Sequence, residues 1–142
     1  ITTRLVGSEM CIRDRLKERF ISNPDVIRHD SYATFTINSE KKDCCMIIYA
    51  TKPYEGGNFF QYLNIGLVPI DKNSGKAMEE NGKAIIHSVE EASDFYDKMG
   101  RNTGYIIDPE EVLADNFSFL LTNQVENLSS PELIQKMEEA CK

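Results

Sequence analysis

Clustered positive charge is what this chain most plainly lacks. Its longest basic run is Lys41-Lys42, and 23 acidic residues against 16 basic ones leave a formal charge of −7. Binding along a phosphate backbone needs grouped lysine and arginine, so no nucleic acid partner is expected. Long apolar runs are missing too. Nothing approaches the ~20 residues needed to span a bilayer, and no membrane segment is expected in these residues. Cysteines at C-x-x-C spacing are absent, which argues against a redox or zinc-ribbon motif. Only two histidines occur, His29 and His87, and neither is followed by glutamate, so the sequence contains no H-E-x-x-H. Both read as surface residues rather than ligands.

The first residues stand apart. The run Leu5-Val6-Gly7-Ser8-Glu9-Met10-Cys11-Ile12-Arg13-Asp14 resembles, in one reading frame, the translated transposon-end adapter of DNA library preparation. That resemblance implies that residues 1–14 are a non-native, adapter-derived segment, to be set aside from fold reasoning. They are expected to be irregular or to form an accidental helical extension. About 128 residues remain, enough for one modest domain or for the back half of a larger one. Arg4 and Arg13 offset Glu9 and Asp14, so the acidic balance belongs to the remainder. Setting Cys11 aside leaves Cys44, Cys45 and Cys141, an odd number that indicates no disulfide framework. Cys44 and Cys45 lie in an apolar run and read as buried thiols.

The pattern along the chain places strands first and helices last, an α+β arrangement. Residues 16–21 read as the end of a helix, broken by Asn23-Pro24-Asp25. Residues 32–37 alternate and are rich in β-formers, which predicts a strand. Residues 40–43 read as a charged turn before a second, central strand at 44–51. A loop over 52–57 leads to a third strand over 59–70, where Phe59, Phe60 and Tyr62 read as sheet packing. Asn81-Gly82 is a hairpin signal before a short strand over 83–87. The expectation is a small antiparallel or mixed sheet of three to four strands, followed by three C-terminal helices.

The first of these helices is predicted over 89–99, with Val89, Ala92, Phe95, Tyr96 and Met99 at helical spacing. Asp108-Pro109 opens the second by N-cap and first-turn proline, and Ser130-Pro131-Glu132 opens the third by the same device. On the second helix Leu113, Phe117, Leu120 and Leu121 form a stripe expected to face a core. Glu111 and Asp115 fall one turn apart. Two such carboxylates repel by a few tenths of a kcal/mol on an isolated helix, so a cation, metal or other partner is expected to offset them. Small Ala114 between them leaves room for a neighbouring helix. Glu111, three residues after Asp108, also suits a capping box. Tyr105 reads as a core tyrosine with its hydroxyl at the surface.

Glu111-Val112-Leu113-Ala114-Asp115 resembles the E-x-x-A-D motif of the glutamate-type zincin metallopeptidases, and the wider stretch 102–117 is similar to the C-terminal region of zincin-like bacterial proteins. The resemblance implies that Glu111 is the third zinc ligand and that Asp115 supports it from outside the coordination sphere. It implies that residues 15–142 are the C-terminal part of a single zincin-like domain. The sequence departs from that pattern by lacking H-E-x-x-H, so the two histidine ligands and the general base are expected upstream. The resemblance then implies an inactive piece whose intact parent binds zinc and takes a peptide or protein substrate. The alternative is a non-enzymatic binding or structural α+β module in which Glu111 only caps its helix.

Overall fold

The computed structural model describes residues 3–4, 21 and 31–142. The fold is α+β, an antiparallel sheet followed by three helices. Strands β1 (Thr3–Arg4), β2 (Ser31–Ile37), β3 (Glu40–Ala50), β4 (Leu63–Asp71) and β5 (Lys76–Ala77) follow one another across the sheet. A hairpin of β6 (Glu79–Glu80) and β7 (Lys83–Ala84) stands off it, and β8 (His87–Ser88) returns to pair with β4. The helices are α1 (Phe95–Met99), α2 (Pro109–Leu121) and α3 (Pro131–Ala140).

The turn between β2 and β3 is Asn38-Ser39, both with positive φ (52° and 66°), and Ile37 pairs with Glu40 across it. That two-residue, left-handed turn matches the twist of the strands it joins. Residues 40–43 are therefore strand rather than turn. Their charged side chains alternate along β3 before the fully buried run from Cys44 to Met46 and Ile47.

Phe59–Tyr62 is a 3₁₀ turn, and β4 begins only at Leu63. The Asn58 side chain accepts from the Phe60 N–H at 3.1 Å, a local bond that competes with strand pairing. Asp71 closes the next turn, its Oδ1 accepting from the N–H groups of Asn73 and Ser74. Asn81-Gly82 turns β6 into β7 as its sequence predicts, with φ of 52° and 76°.

Sheet alternation builds two cores. Phe35, Ile37, Cys44, Met46 and Leu67 face the helices and pack with Val89, Phe95, Met99 and Val112. Phe35 and Phe95 stack with ring centroids 5.4 Å apart. On the other face Cys45, Ile47, Val68, Ile70 and Ala77 lie under Tyr49, Ala84 and Ile86.

Helix formation over 89–99 is interrupted. Residues 89–91 form a 3₁₀ turn, Ala92 bridges to Ile37, and α1 starts at Phe95. The open edge of β2 takes the intervening residues. Ser93 N–H donates to Thr36 O at 3.0 Å, and Asp94 accepts from the N–H and hydroxyl of Thr36 at 2.7 and 2.8 Å. Burial alone would raise the Asp94 pKa. The bonds from Thr36 and the Lys98 ammonium, 2.9 Å away, outweigh it and hold the group at about 2.

The other end of the same edge pairs with β1, Thr3 opposite Tyr32 and Arg4 opposite Ser31. These two residues were expected to be irregular or helical. An edge strand presents unpaired N–H and C=O groups that an extended segment of any sequence can meet. The helix predicted over 16–21 lies outside the described residues except at Ile21, which is not helical and donates to Ile48 O. The break at 23–25 lies outside them as well.

Candidate functional site

Asp108 opens α2 as its sequence predicts, with its carboxylate accepting from the Glu110 N–H at 2.8 Å and Pro109 beginning the helix. Tertiary structure adds what local reading missed. Asp108 is only 2 % exposed, and the Ser31 hydroxyl reaches both its oxygens at 3.1 and 3.0 Å from a position 77 residues earlier. Burial pushes Asp108 up to about 6. The bonds from Glu110 N–H and Ser31 lower it, while the neighbouring carboxylates of Glu110 and Glu111 raise it.

A folded-state pKa above the unfolded value means that the protonated form stabilises the fold. That contribution is full below the ordinary value of 3.8 and is lost as pH rises through about 6. We expect stability to fall by on the order of 2 kcal/mol between pH 4.5 and 7, since one pKa unit corresponds to about 1.4 kcal/mol. Urea melts of Asp108→Asn should remove that slope while keeping the cap and the Ser31 bond. An unchanged slope in the variant would refute the assignment.

One turn into the helix, Glu111 and Asp115 are both half-buried on the same side of α2. The Thr103 hydroxyl donates to Asp115 Oδ2, and the Tyr105 N–H donates to Thr103 Oγ1 at 2.9 Å. The backbone thus orients the hydroxyl, and the hydroxyl orients the carboxylate. A neutral donor meets the Asp115 half of the pair. Ala114 is exposed rather than covered by a crossing helix, and Tyr105 is at the surface rather than in the core.

Of the apolar stripe only Leu120 is half-buried, and the rest does not face the core. Leu113, Phe117 (40 %) and Leu121 (70 %) are exposed, while Pro109, Val112 and Asn116 form the buried face. Polar bonds set this rotation. Asp108 is held by Ser31 at one end, and Asn116 Oδ1 accepts from Asn102 Nδ2 at 2.8 Å while its Nδ2 donates to Val112 O at 2.7 Å. Asn102 also donates to Ser130 O at 2.7 Å and accepts from Ser130 N–H at 2.6 Å. Buried polar groups left unpaired cost roughly 1–3 kcal/mol each, enough to decide which face turns inward. Ser130 does not cap α3 with its side chain; its Oγ accepts from the Arg101 N–H at 3.0 Å. Glu111 and Asp115 flank the buried face on one side, and Leu113 and Phe117 on the other. Leu113 lines a cavity of about 750 Å³ between β2, α1, α2 and α3.

His87 is not a surface residue. Its side chain is largely covered on β8, Nδ1 lies 2.8 Å from Glu91 Oε2, and the buried Nε2 has no partner among the described residues. His29 lies outside those residues. Among them, no three His, Cys, Asp or Glu side chains gather as a metal site. Cys44 and Cys45 are buried and unbridged. Burial, with Asp43 adding to it, pushes the Cys44 thiol up to about 12, so it stays protonated and weakly nucleophilic at neutral pH. No helix among the described residues is long and apolar enough to cross a membrane.

No protein-family model, curated protein or solved structure matches the chain.

Proposed function

We propose that α2 is the third-ligand helix of a zinc-dependent metallopeptidase, with Glu111 as the ligand and Asp115 as the carboxylate that supports it. The supporting observation is the pair itself: two half-buried carboxylates one turn apart, the second held by Thr103. A glutamate oxygen is a competent zinc donor at about 2.0–2.2 Å, and metal ligands depend on outer groups fixed by hydrogen bonds. The described residues fit one corner of such a site and not the whole, because a catalytic zinc needs three protein ligands. In this reading two histidines and a base on an H-E-x-x-H helix lie outside residues 15–142, the substrate is a peptide or protein, and this chain alone is inactive. Bound zinc would polarise the scissile carbonyl and its attacking water. Residues of this chain would orient Glu111 and keep Asp115 in place.

Sequencing the coding DNA upstream of Leu16 tests the reading, which expects H-E-x-x-H there. In the protein carrying that motif, Glu111→Ala should abolish stoichiometric zinc by metal analysis. Zinc retained in that variant would sink the ligand role.

The exposed Leu113, Phe117 and Leu121 favour a second reading, a non-enzymatic binding or structural module with Glu111 capping α2. It expects no zinc, and a loss of about 1 kcal/mol or less for Glu111→Ala.

A further inference from the structure

We propose that Asn81 is a site of spontaneous covalent modification: its side-chain amide closes onto the Gly82 nitrogen, and the ring opens to an isoaspartyl residue that rebuilds the turn between β6 and β7. Asparagine is a chemically labile residue, and the reaction needs only water. The Gly82 nitrogen gives up its proton and attacks the Asn81 side-chain carbonyl carbon. A C–N bond forms there, the bond to the side-chain nitrogen breaks, and that nitrogen leaves with the proton as ammonia. Water then opens the cyclic imide. Addition at the main-chain carbonyl breaks its bond to the Gly82 nitrogen, so the chain runs on through the former side chain. Addition at the other carbonyl gives aspartate. Either product carries a carboxylate where the amide was, and nothing is oxidised or reduced.

Position in the fold singles out this asparagine. Asn81 is the one asparagine followed by glycine, so no side chain shields the attacking nitrogen. Both residues are exposed, and apart from chain neighbours no heavy atom lies within 4 Å of where a Gly82 Cβ would stand. The Asn81 side chain makes no hydrogen bond among the described residues, whereas those of Asn58, Asn102 and Asn116 are all engaged. Ring closure requires the Asn81 backbone to leave the turn. Only two pairs hold that turn, Glu79 with Ala84 and Glu80 with Lys83, and an isolated two-stranded hairpin is marginal in water. Asn38, also left-handed, joins strands paired at five positions from Ala33 to Ile37. Local opening is therefore cheaper at Asn81.

The modification acts on the sheet beneath. The two-residue turn fits its strands through positive φ at both positions, 52° and 76°. An isoaspartyl link adds a main-chain carbon to it and breaks that fit, so the two pairs lose their register. Its carboxylate also stands beside Glu79 and Glu80, adding like charge to an acidic strand. The hairpin is docked at its base, where the Ile85 N–H donates to Met78 O at 3.0 Å and the Met78 N–H to Pro69 O at 2.7 Å. Ala84 and Ile86 there cover the core of Cys45, Ile47 and Val68. Loss of the turn thus loosens the cover of the outer sheet face.

The test incubates the full chain in mildly alkaline buffer and follows each asparagine by peptide mass spectrometry, reading the change from ammonia lost and water gained. Asn81 should convert at least about tenfold faster than Asn38 and Asn73, a barrier lower by about 1.4 kcal/mol. A synthetic peptide of residues 78–85 measures the chemistry without the fold, and the folded chain should convert within about tenfold of it. Gly82→Ala should slow conversion at Asn81. That variant strains the turn and so frees the hairpin, which by itself would speed the reaction; slowing therefore identifies the glycine nitrogen as the attacking group. In the converted chain the Ile85 N–H should exchange faster with solvent. Equal rates at Asn81, Asn38 and Asn73, or a folded chain slower than the peptide by more than about tenfold, would overturn the proposal by showing that the hairpin protects its turn. Aspartate as the sole product, or unchanged exchange at Ile85, would overturn the rebuilt turn.

Discussion

Gly100→Ala is expected to lower stability by about 3 kcal/mol, from two sources that act together. Gly100 ends α1 at φ 72° and ψ −172°, a region of backbone space open essentially to glycine, where another residue costs of order 1–3 kcal/mol. Space is also lacking. A Cβ there would crowd Leu133 Cδ1, the movable end of a half-buried side chain, and stand 3.2 Å from Ser130 Cβ, so the crowding adds about 1 kcal/mol, the low end of the cost of overpacking. Urea unfolding should show the midpoint falling with an unchanged slope. The double variant Gly100→Ala/Leu133→Ala separates the sources. Relative to Leu133→Ala alone, the added alanine should cost only the backbone part, about 2 kcal/mol. A single-variant loss under 1 kcal/mol would show that the turn can relax.

Asn102→Ala should cost about 3 kcal/mol although it removes little apolar surface. The Asn102 side chain makes three bonds, to Asn116 Oδ1, Ser130 O and Ser130 N–H. It thereby ties the turn after α1 to both α2 and the start of α3. Asn116 and Ser130 are buried, so removing Asn102 deprives groups that water reaches poorly. Each lost bond is worth roughly 1 kcal/mol and each stranded buried group 1–3 kcal/mol. Asn102→Asp keeps an acceptor for Ser130 N–H but loses both donor bonds and adds a charge, so it should be no better than alanine. Amide hydrogen exchange offers a sharper readout, since Ser130 N–H should lose protection before the sheet amides do. Protection retained at Ser130 would mean that another group takes its place.

Asp108 and Asp94 show how far the same residue type diverges once the fold is made. Both sit near helix starts, yet Asp94 titrates at about 2 and Asp108 at about 6. Burial raises both. The Lys98 ammonium and two bonds from Thr36 reverse it for Asp94. Asp108 has Ser31 and Glu110 N–H on one side, and the charges of Glu110 and Glu111 on the other. Acid should therefore weaken the Asp94 anchor only below about pH 4, outside the window where Asp108 shapes the curve.

Sequence by itself determined the local devices. Alternation in 32–37, the Asn81-Gly82 turn and Asp108 with Pro109 are readable because each depends on residues a few positions apart. Strands before helices, and hence α+β, followed from them. Where local signals conflicted, reading along the chain misplaced the boundary. Charged residues 40–43 read as a turn, though the left-handed Asn38-Ser39 pair had already made it. Phe59–Tyr62 read as strand, though Asn58 coils it into a 3₁₀ turn. Glu111 and Asp115 were visible as a pair from their spacing, whereas Thr103 and Ser31 carried no signal, since nothing local says which hydroxyl will meet which carboxylate. Only tertiary structure decided how α2 is rotated. A helical wheel weighs Leu113, Phe117 and Leu121 by hydrophobicity, but the folded chain turns Val112 and Asn116 inward. Asp108 and Asn116 find partners only there, and a buried polar group without a partner outweighs the gain from covering one more apolar side chain.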